Sequence, residues 1–288
     1  MKLENGIQEG VPNAAYHADR KCVSSTWLKK IQKTPFHLRL HLDTPPPDVT
    51  PPALLMGSAV DTLVFEPELF KKEFIIMPEL NLRTKDGRSE RDRLIAKCVK
   101  TNQMLIKNSD HFIALQTAKA IRMNPVMARI LQRGKTQQTF IWDDPVTELK
   151  CKCRTDWYDE ESATIYDLKT AQDASPEGFA KAIANFGYHI QAAFYSDGVR
   201  ACNKPVERFV FCVQEKAAAG EIPNSELMAF YELSADDMQA GIDSYTSGLA
   251  AINFCMMTGE WTGYTDQILP ISRPAWARKS DVEMVTSL

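Results

Sequence analysis

Two short runs of strand-forming residues, joined by a polar turn, constrain the centre of this chain to a β-hairpin. The first run covers residues 149–157 and the second covers residues 163–169, with the polar segment 159–162 between them. Runs of this length and composition are typical of strands, and the polar segment is typical of a turn. Because helical sequence follows, the pattern predicts an α/β fold.

Charged side chains share faces of this predicted hairpin. Side chains alternate along a strand, so Asp167 and Lys169 project together, and Asp156 projects with Arg154 on the first strand. If the register aligns these faces, two carboxylates can bind Mg²⁺ or Mn²⁺ while Lys169 orients a water or stabilises negative charge. The triplet then suits metal-dependent phosphodiester hydrolysis. The alternative is that Asp-x-Lys forms an ordinary solvated polar face.

Two helices are predicted after the hairpin. The Ser-Pro pair at 175–176 is typical of a helix start, and Gly187 is typical of a helix end. A second helix is predicted from about Tyr188, and it carries Gln191 and Tyr195 four residues apart on one face. An acidic hairpin followed by such a helix is much rarer than Asp-x-Lys alone.

Together, Asp156, Asp167-Leu168-Lys169 and Gln191-x-x-x-Tyr195 resemble the core of the PD-(D/E)xK nucleases in their RecB-like branch. More narrowly, the chain resembles the RecE-type recombination exonucleases of prophages. The resemblance implies a restriction-endonuclease-like core, with a mixed central sheet flanked by helices and a helical N-terminal elaboration. Further matching segments, spread over nearly the whole chain, are residues 16–18, 55–61, 66–67, 142–145, 151–154, 187–198 and 274–277.

The resemblance assigns a metal-binding role to several residues. It implies that Asp156 and Asp167 bind Mg²⁺, with Mn²⁺ as a substitute, and that the backbone carbonyl of Leu168 adds a ligand. Lys169 would serve the attacking water. Asp61 stands where the family usually has histidine, and as a hard oxygen ligand it is still expected to coordinate the metal. The alternative at Asp61 is a weakened second metal site.

Other positions are expected to support the site or to contact DNA. By the resemblance, Gln191 and Tyr195 support catalysis or touch the DNA backbone. Residues 81–93 are rich in basic side chains and are predicted to form a phosphate-contacting loop, with a turn at 86–87 and a helix from about Glu90. A solvated loop of mixed charge is the alternative. The candidate DNA contacts are Arg83, Lys85, Arg88, Arg154, Tyr188 and His189.

The resemblance also implies an activity and partners. We expect a Mg²⁺-dependent exonuclease that degrades linear double-stranded DNA from its 5′ ends and leaves a 3′ single strand. The protein would act as a ring-shaped homo-oligomer, expected to be a tetramer, with a single-strand annealing protein of the RecT type as its partner in phage or prophage recombination. Two alternatives remain: a DNA-binding or assembly protein that has lost turnover, and an endonuclease of the same superfamily.

The composition agrees with a globular enzyme, for which a cytoplasmic location is the default expectation, and the resemblance implies a bacterial host. Hydrophobic residues make up 44% and charged residues 25% of the chain, and no apolar run approaches membrane-spanning length. The net charge of −3 does not exclude DNA binding, because local basic patches matter more than the total. Seven scattered cysteines do not suggest a disulfide framework, and core packing is the preferred role for Cys151 and Cys153 over a metal cluster.

The chain is expected to form a single nuclease domain over residues 1–288. Sequence signals further predict a helix from Ser24-Ser25, a sheet that begins near 140–142, strands at 206–213 and 227–233, and a long helix after Ser234. The parts of the domain are an N-terminal segment with a proline-rich linker (1–52), a helical part carrying Asp61 (53–135), the catalytic core (136–260) and a C-terminal tail (261–288).

Overall fold

A computed structural model of the protein describes residues 4–45, 49–218 and 220–274. Part of the proline-rich linker (46–48) and most of the predicted tail and its matching segment (275–288) lie outside these ranges. The helices are α1 (Asn13–Ala18), α2 (Ser25–Ile31), α3 (Pro35–Asp43), α4 (Pro52–Phe65), α5 (Phe70–Glu73), α6 (Lys85–Thr101), α7 (Asn108–Met123), α8 (Pro125–Ile130), α9 (Pro176–Phe186), α10 (Tyr188–Ala201) and α11 (Ala235–Thr258). A 3-10 helix, Pro67–Leu69, precedes α5.

The strands form three sheets. They are β1 (Gly6–Gln8), β2 (Phe74–Met77), β3 (Met104–Lys107), β4 (Lys135–Thr136), β5 (Thr139–Asp143), β6 (Lys150–Arg154), β7 (Trp157–Asp159), β8 (Thr164–Ala171), β9 (Arg208–Glu215) and β10 (Met228–Tyr231). The central sheet has the order β10-β9-β8-β7-β4, in which β8 and β9 are parallel and the other pairs are antiparallel. An antiparallel sheet, β1-β5-β6, and the parallel pair β2-β3 complete the set.

Helices cover both faces of the central sheet, which confirms the predicted α/β class with a mixed sheet. On one face, Phe209 and Phe211 of β9 pack in a cluster with residues of α2, α9, α10 and α11. On the other face, Val210 and Cys212 pack with residues of α4, α7 and α8. The alternation along β9 therefore buries apolar side chains on both sides. No helix of the described residues is long and apolar enough to cross a membrane.

The predicted hairpin exists, but its first strand is shorter than the sequence indicated. The run 149–157 is interrupted at 155–156, so that β6 pairs with β5 while β7 forms the hairpin with β8. At the interruption, the carboxylate of Asp156 accepts a hydrogen bond from the backbone N–H of Leu168, twelve residues further along the chain. The chain thus passes from one sheet to the next at Asp156.

The predicted turn at 86–87 is wrong, because these residues lie inside α6, which begins at Lys85 rather than near Glu90. The hydroxyl of Thr84 accepts a hydrogen bond from the N–H of Gly87 and caps the helix. A Cβ at Gly87 would lie 2.1 Å from the backbone oxygen of Asn81. The glycine therefore allows two backbone segments to pack closely against each other.

The helix that carries Gln191 and Tyr195, α10, packs closely against α11 on one face of the central sheet. Ser175 and Gly187 cap α9 as predicted, and α10 begins directly after Gly187. Gly241 of α11 lies against α10 so closely that a Cβ there would stand 2.4 Å from the carbonyl oxygen of His189. The position of α10 therefore depends on a glycine in the neighbouring helix.

We predict that Gly241→Ala destabilises the protein. Separating two helix backbones costs about 1–3 kcal/mol, which exceeds the gain of about 1 kcal/mol from replacing glycine within a helix. The matched control is Gly57→Ala in α4, where an added Cβ meets nothing within 4 Å and the gain should remain. Urea denaturation followed by circular dichroism measures both variants, and equal stabilisation by the two substitutions would contradict the close contact.

Candidate active site

Asp156 and Asp167 meet where β7 and β8 pair. Asp156 lies in the break before β7, and its Oδ2 accepts the N–H of Leu168 at 2.8 Å. Asp167 immediately precedes Leu168 on β8 and is 2% exposed. One short hydrogen bond therefore places both carboxylates beside the same stretch of backbone. On β8, side chains alternate between the two faces as predicted. Asp156, in contrast, projects into the site from the loop before β7.

Lys169 completes the triplet. Its ammonium group forms an ion pair with Oδ2 of Asp167, as expected for residues that share a strand face. Burial lowers the pKa of Lys169, but attraction by Asp167 and then Asp156 outweighs that effect and raises the pKa above its ordinary value. Lys169 is therefore a charged ammonium group at neutral pH.

Asp61, on α4, lies within electrostatic range of this triplet. Burial raises the pKa of Asp61 well above its ordinary value, and repulsion by Asp156 and Asp167 adds to the effect while Lys169 opposes it. Burial, followed by repulsion from Asp167, raises the pKa of Asp156 to about 7. The raised pKa values of Asp61 and Asp156 therefore reflect acidic groups that lie close together and are partly shielded from water.

The donor set suits a hard divalent cation. Buried carboxylates that repel one another are strongly relieved by a bound cation, and Mg²⁺ usually takes one or two carboxylates and keeps several waters. Asp156, Asp167 and the Leu168 carbonyl are the residues that would hold it, with Asp61 beside them. Within the described residues, no three His, Cys, Asp or Glu side chains form a ready-made metal-binding group. Water would therefore supply part of the coordination shell.

Gln191 of α10 contacts this cluster directly. Its Nε2 donates to Oδ1 of Asp167 at 2.7 Å, and its Oε1 accepts from the ammonium group of Lys29 on α2 at 3.2 Å. The sequence did not single out Lys29. The only signal for it was its position four residues after Ser25 on a predicted helix, which places the two side chains on one face.

The two tyrosines of α10 have different surroundings. The ring of Tyr188 lies 5.1 Å from the Nζ of Lys169 and 5.2 Å from the Nζ of Lys29, so it contacts both cations. Burial raises the pKa of Tyr195 well above its ordinary value, whereas a hydrogen bond with Ser25 acts in the opposite direction. Tyr195 therefore faces α2, and Tyr188 lies beside the triplet.

The structure does not favour Arg154 as a DNA contact, because this side chain is 8% exposed and points into the protein. It donates to the hydroxyl of Thr139 and to the carbonyl of Val11, and it lies 4.2 Å from the ring of Tyr16. Its Nε and Nη2 groups are therefore engaged within the protein. Arg154 does affect the site, since its charge lowers the pKa of Asp156.

Lys152, on the same strand, is also turned inward. It is 3% exposed and donates to the carbonyls of Tyr16 and Asp19, at 2.5 Å and 3.1 Å. It also forms an ion pair with the Asp19 carboxylate at 3.1 Å. Lys152 and Arg154 together bind the N-terminal segment to β6.

The remaining candidate DNA contacts do not join the cluster. Arg83 and Lys85 are exposed at the start of α6, and Arg88 donates to the carbonyls of Leu82 and Arg83. His189 is half-buried on α10. Their contact with DNA stays a prediction, as do the catalytic roles of Asp156, Asp167, Lys169, Gln191 and Tyr195.

We predict that, without divalent cations, the Asp156 carboxylate becomes more destabilising as the pH rises. The pKa of Asp156 in the folded state, about 7, exceeds its ordinary value of 3.8, so the folded state binds this proton more tightly than the unfolded state does. The folded state therefore loses stability as the pH rises from 3.8 to about 7. The Tm of Asp156→Asn relative to wild type should therefore rise between pH 5 and pH 8 in EDTA.

Asp143→Asn is the matched control for that comparison. Hydrogen bonds from Asn5 and Lys150 lower the pKa of Asp143, so this carboxylate stays ionised at both pH values. Its effect on Tm should not change with pH. A pH-independent difference between wild type and Asp156→Asn would contradict the predicted charge burial.

Comparison with solved structures identifies a similar fold. A protein from Eubacterium rectale that is provisionally named an exonuclease aligns with a TM-score of 0.61 and 15% identity, over 97% of this chain and 99% of that chain. A phage-related exonuclease from Haemophilus somnus 129PT aligns with a TM-score of 0.33 and 12% identity, over 61% of this chain and 85% of that chain. The first similarity concerns the fold alone, and the second is too weak to support an inference.

Comparison with sequence families is more specific. No curated protein matches the chain. The family described as "PDDEXK-like domain of unknown function (DUF3799)" matches residues 24–271, which is most of the chain. This match confirms the predicted PD-(D/E)xK superfamily and leaves the narrower RecE-type resemblance a prediction. The chain belongs to the family of PDDEXK-like domains of unknown function, DUF3799.

Proposed function

We propose that this protein is a metal-dependent nuclease, and specifically a 5′-to-3′ exodeoxyribonuclease that acts on linear double-stranded DNA. The observation that carries the proposal is the cluster of Asp156 and Lys169 around the buried Asp167, with Gln191 bonded to Asp167. A structural role alone does not account for grouping acids whose pKa values are raised by their neighbours. Membership of the PDDEXK-like family supports the same chemistry.

The residues have separate tasks in the proposed hydrolysis. Asp156, Asp167 and the Leu168 carbonyl would hold Mg²⁺, for which Mn²⁺ is a substitute. A divalent cation at this place would neutralise charge on the phosphate oxygens and lower the pKa of a bound water. Lys169 orients the attacking water and stabilises the negative charge that develops on the phosphate. Gln191 holds Asp167 in place by its hydrogen bond.

The polarity, the preference for ends and the partners are proposed from the RecE-type resemblance. The enzyme would digest the 5′-terminated strand, leave a 3′ single strand, and hand it to an annealing protein of the RecT type in a bacterial cytoplasm. A ring-shaped tetramer around the DNA would let a chain of net charge −3 bind it, because only the channel needs a basic surface. Exposed Arg83 and Lys85 are candidates for such a surface.

A second candidate function is a DNA-binding or assembly protein without turnover. The observation that favours it is Asp61, which stands where the resemblance implies histidine and adds a third carboxylate to the cluster. The presence of Asp156, Asp167 and Lys169 together at one place favours the enzyme.

The test uses linear duplex DNA labelled separately at each 5′ and 3′ end, with Mg²⁺, Mn²⁺ or EDTA, beside a covalently closed circle. Metal-dependent loss of the 5′-terminated strand on linear DNA alone supports the exonuclease. Cleavage of the circle would instead identify an endonuclease. Binding without digestion under either metal would favour the inactive scaffold.

We predict that Lys169→Ala reduces kcat by about 100-fold or more, because a positioned electrostatic group is lost. The variant should still bind DNA. The control is Lys181→Ala, which removes an exposed lysine of α9 and should leave kcat unchanged. Single-turnover assays on end-labelled duplex measure both variants, and wild-type turnover of Lys169→Ala would remove this residue from the mechanism.

A further inference from the structure

The amide of Gln191 stands between a lysine and an aspartate. Lys29 lies on its Oε1 side at 3.2 Å, and Asp167 lies on its Nε2 side at 2.7 Å. An ammonium group can only donate hydrogen bonds and an ionised carboxylate can only accept them. These two partners therefore allow one orientation of the amide, with the NH₂ group toward Asp167.

The position of Lys29 is itself well defined. A Cβ at Gly187 would lie 3.4 Å from the Lys29 Cγ, so the junction of α9 and α10 lies against the aliphatic part of the lysine. Its ammonium group lies over the ring of Tyr188 at 5.2 Å. Because Lys29 is confined by its neighbours, its hydrogen bond can hold Gln191 with little loss of side-chain entropy.

The contact belongs to a matched pair of helix faces. Ser25 and Lys29 lie one turn apart on α2, and Gln191 and Tyr195 lie one turn apart on α10. Lys29 donates a hydrogen bond to Gln191, and Ser25 lies near enough to Tyr195 to oppose the rise that burial causes in its pKa. The N-terminal helix therefore supports both members of the Gln-x-x-x-Tyr motif.

We propose that Lys29 is a positioning residue that fixes the Gln191 amide and, through it, the metal-binding orientation of the Asp167 carboxylate. The proposal rests on the function proposed above. Without Lys29, the amide can turn its oxygen toward Asp167, which would repel the carboxylate instead of holding it. Hydrogen-bonded groups behind metal ligands commonly affect metal affinity or activity by about 10–100-fold.

The test compares Lys29→Met and Lys29→Arg with a matched control, Lys30→Met. Lys30 is the next residue on α2, and its side chain makes no hydrogen bond within the described part of the chain. We expect Lys29→Met to lower kcat by about 10–100-fold with little change in KM for DNA. Lys29→Arg should recover most of the activity because it keeps a charged donor, and Lys30→Met should behave as wild type.

A double-variant cycle tests whether Lys29 acts through Gln191. If it does, Lys29→Met combined with Gln191→Met should be no slower than Gln191→Met alone, because the effects of residues that act as a unit are not additive. If the loss of kcat in the double variant equals the product of the losses in the two single variants, the proposal is overturned. A rise in KM at unchanged kcat would also overturn it, since Lys29 would then contact DNA directly.

Calorimetric titration with Mn²⁺ alone separates this proposal from the proposed function. Lys29→Met should bind Mn²⁺ more weakly than wild type and Lys30→Met, even if no form of the protein digests DNA. Unchanged Mn²⁺ affinity in Lys29→Met would overturn the positioning role. Circular dichroism checks folding, and Lys29→Gln replaces Lys29→Met with the same expectation if the methionine variant does not fold.

Discussion

The hydrogen bond from the Leu168 N–H to the Asp156 carboxylate is the contact on which the arrangement of this molecule depends. It holds the chain at the point where β6 of one sheet ends and β7 of the next begins. The same bond brings Asp156 beside Asp167, so the junction of the two sheets and the acidic cluster have one cause. Because β8 is paired with strands on both sides, its carboxylate and lysine are presented from a rigid backbone.

The helices and strands around the site place positive charges against its acidic side chains. Acids at positions 61, 156 and 167 are opposed at close range by Lys169, and Lys29 is bonded to the group through Gln191. In the absence of a cation, such a cluster weakens the fold, which is a common cost of functional sites. The deep apolar packing on both faces of β9 compensates for it.

Local signals predicted much of this structure. The shared face of Asp167 and Lys169, the caps at Ser175 and Gly187, and the start of α11 after Ser234 each depend on a few neighbouring residues. The break at 155–156 and the inward direction of Arg154 were missed, because both depend on partners that are distant in sequence or on the other sheet. Lys29 was missed for the same reason, since it lies 162 positions from Gln191.

The two buried cations of β6 also bear on how the chain acquires its structure during synthesis. The carbonyl of Tyr16 meets the ammonium group of Lys152, which the ribosome adds 136 residues later. At typical translation rates this separation corresponds to a delay on the order of ten seconds. Throughout this time the segment around Tyr16 lacks its binding surface. The segment around Tyr16 is therefore made well before the strand that it binds, and the helix that carries Lys29 is likewise made before Gln191.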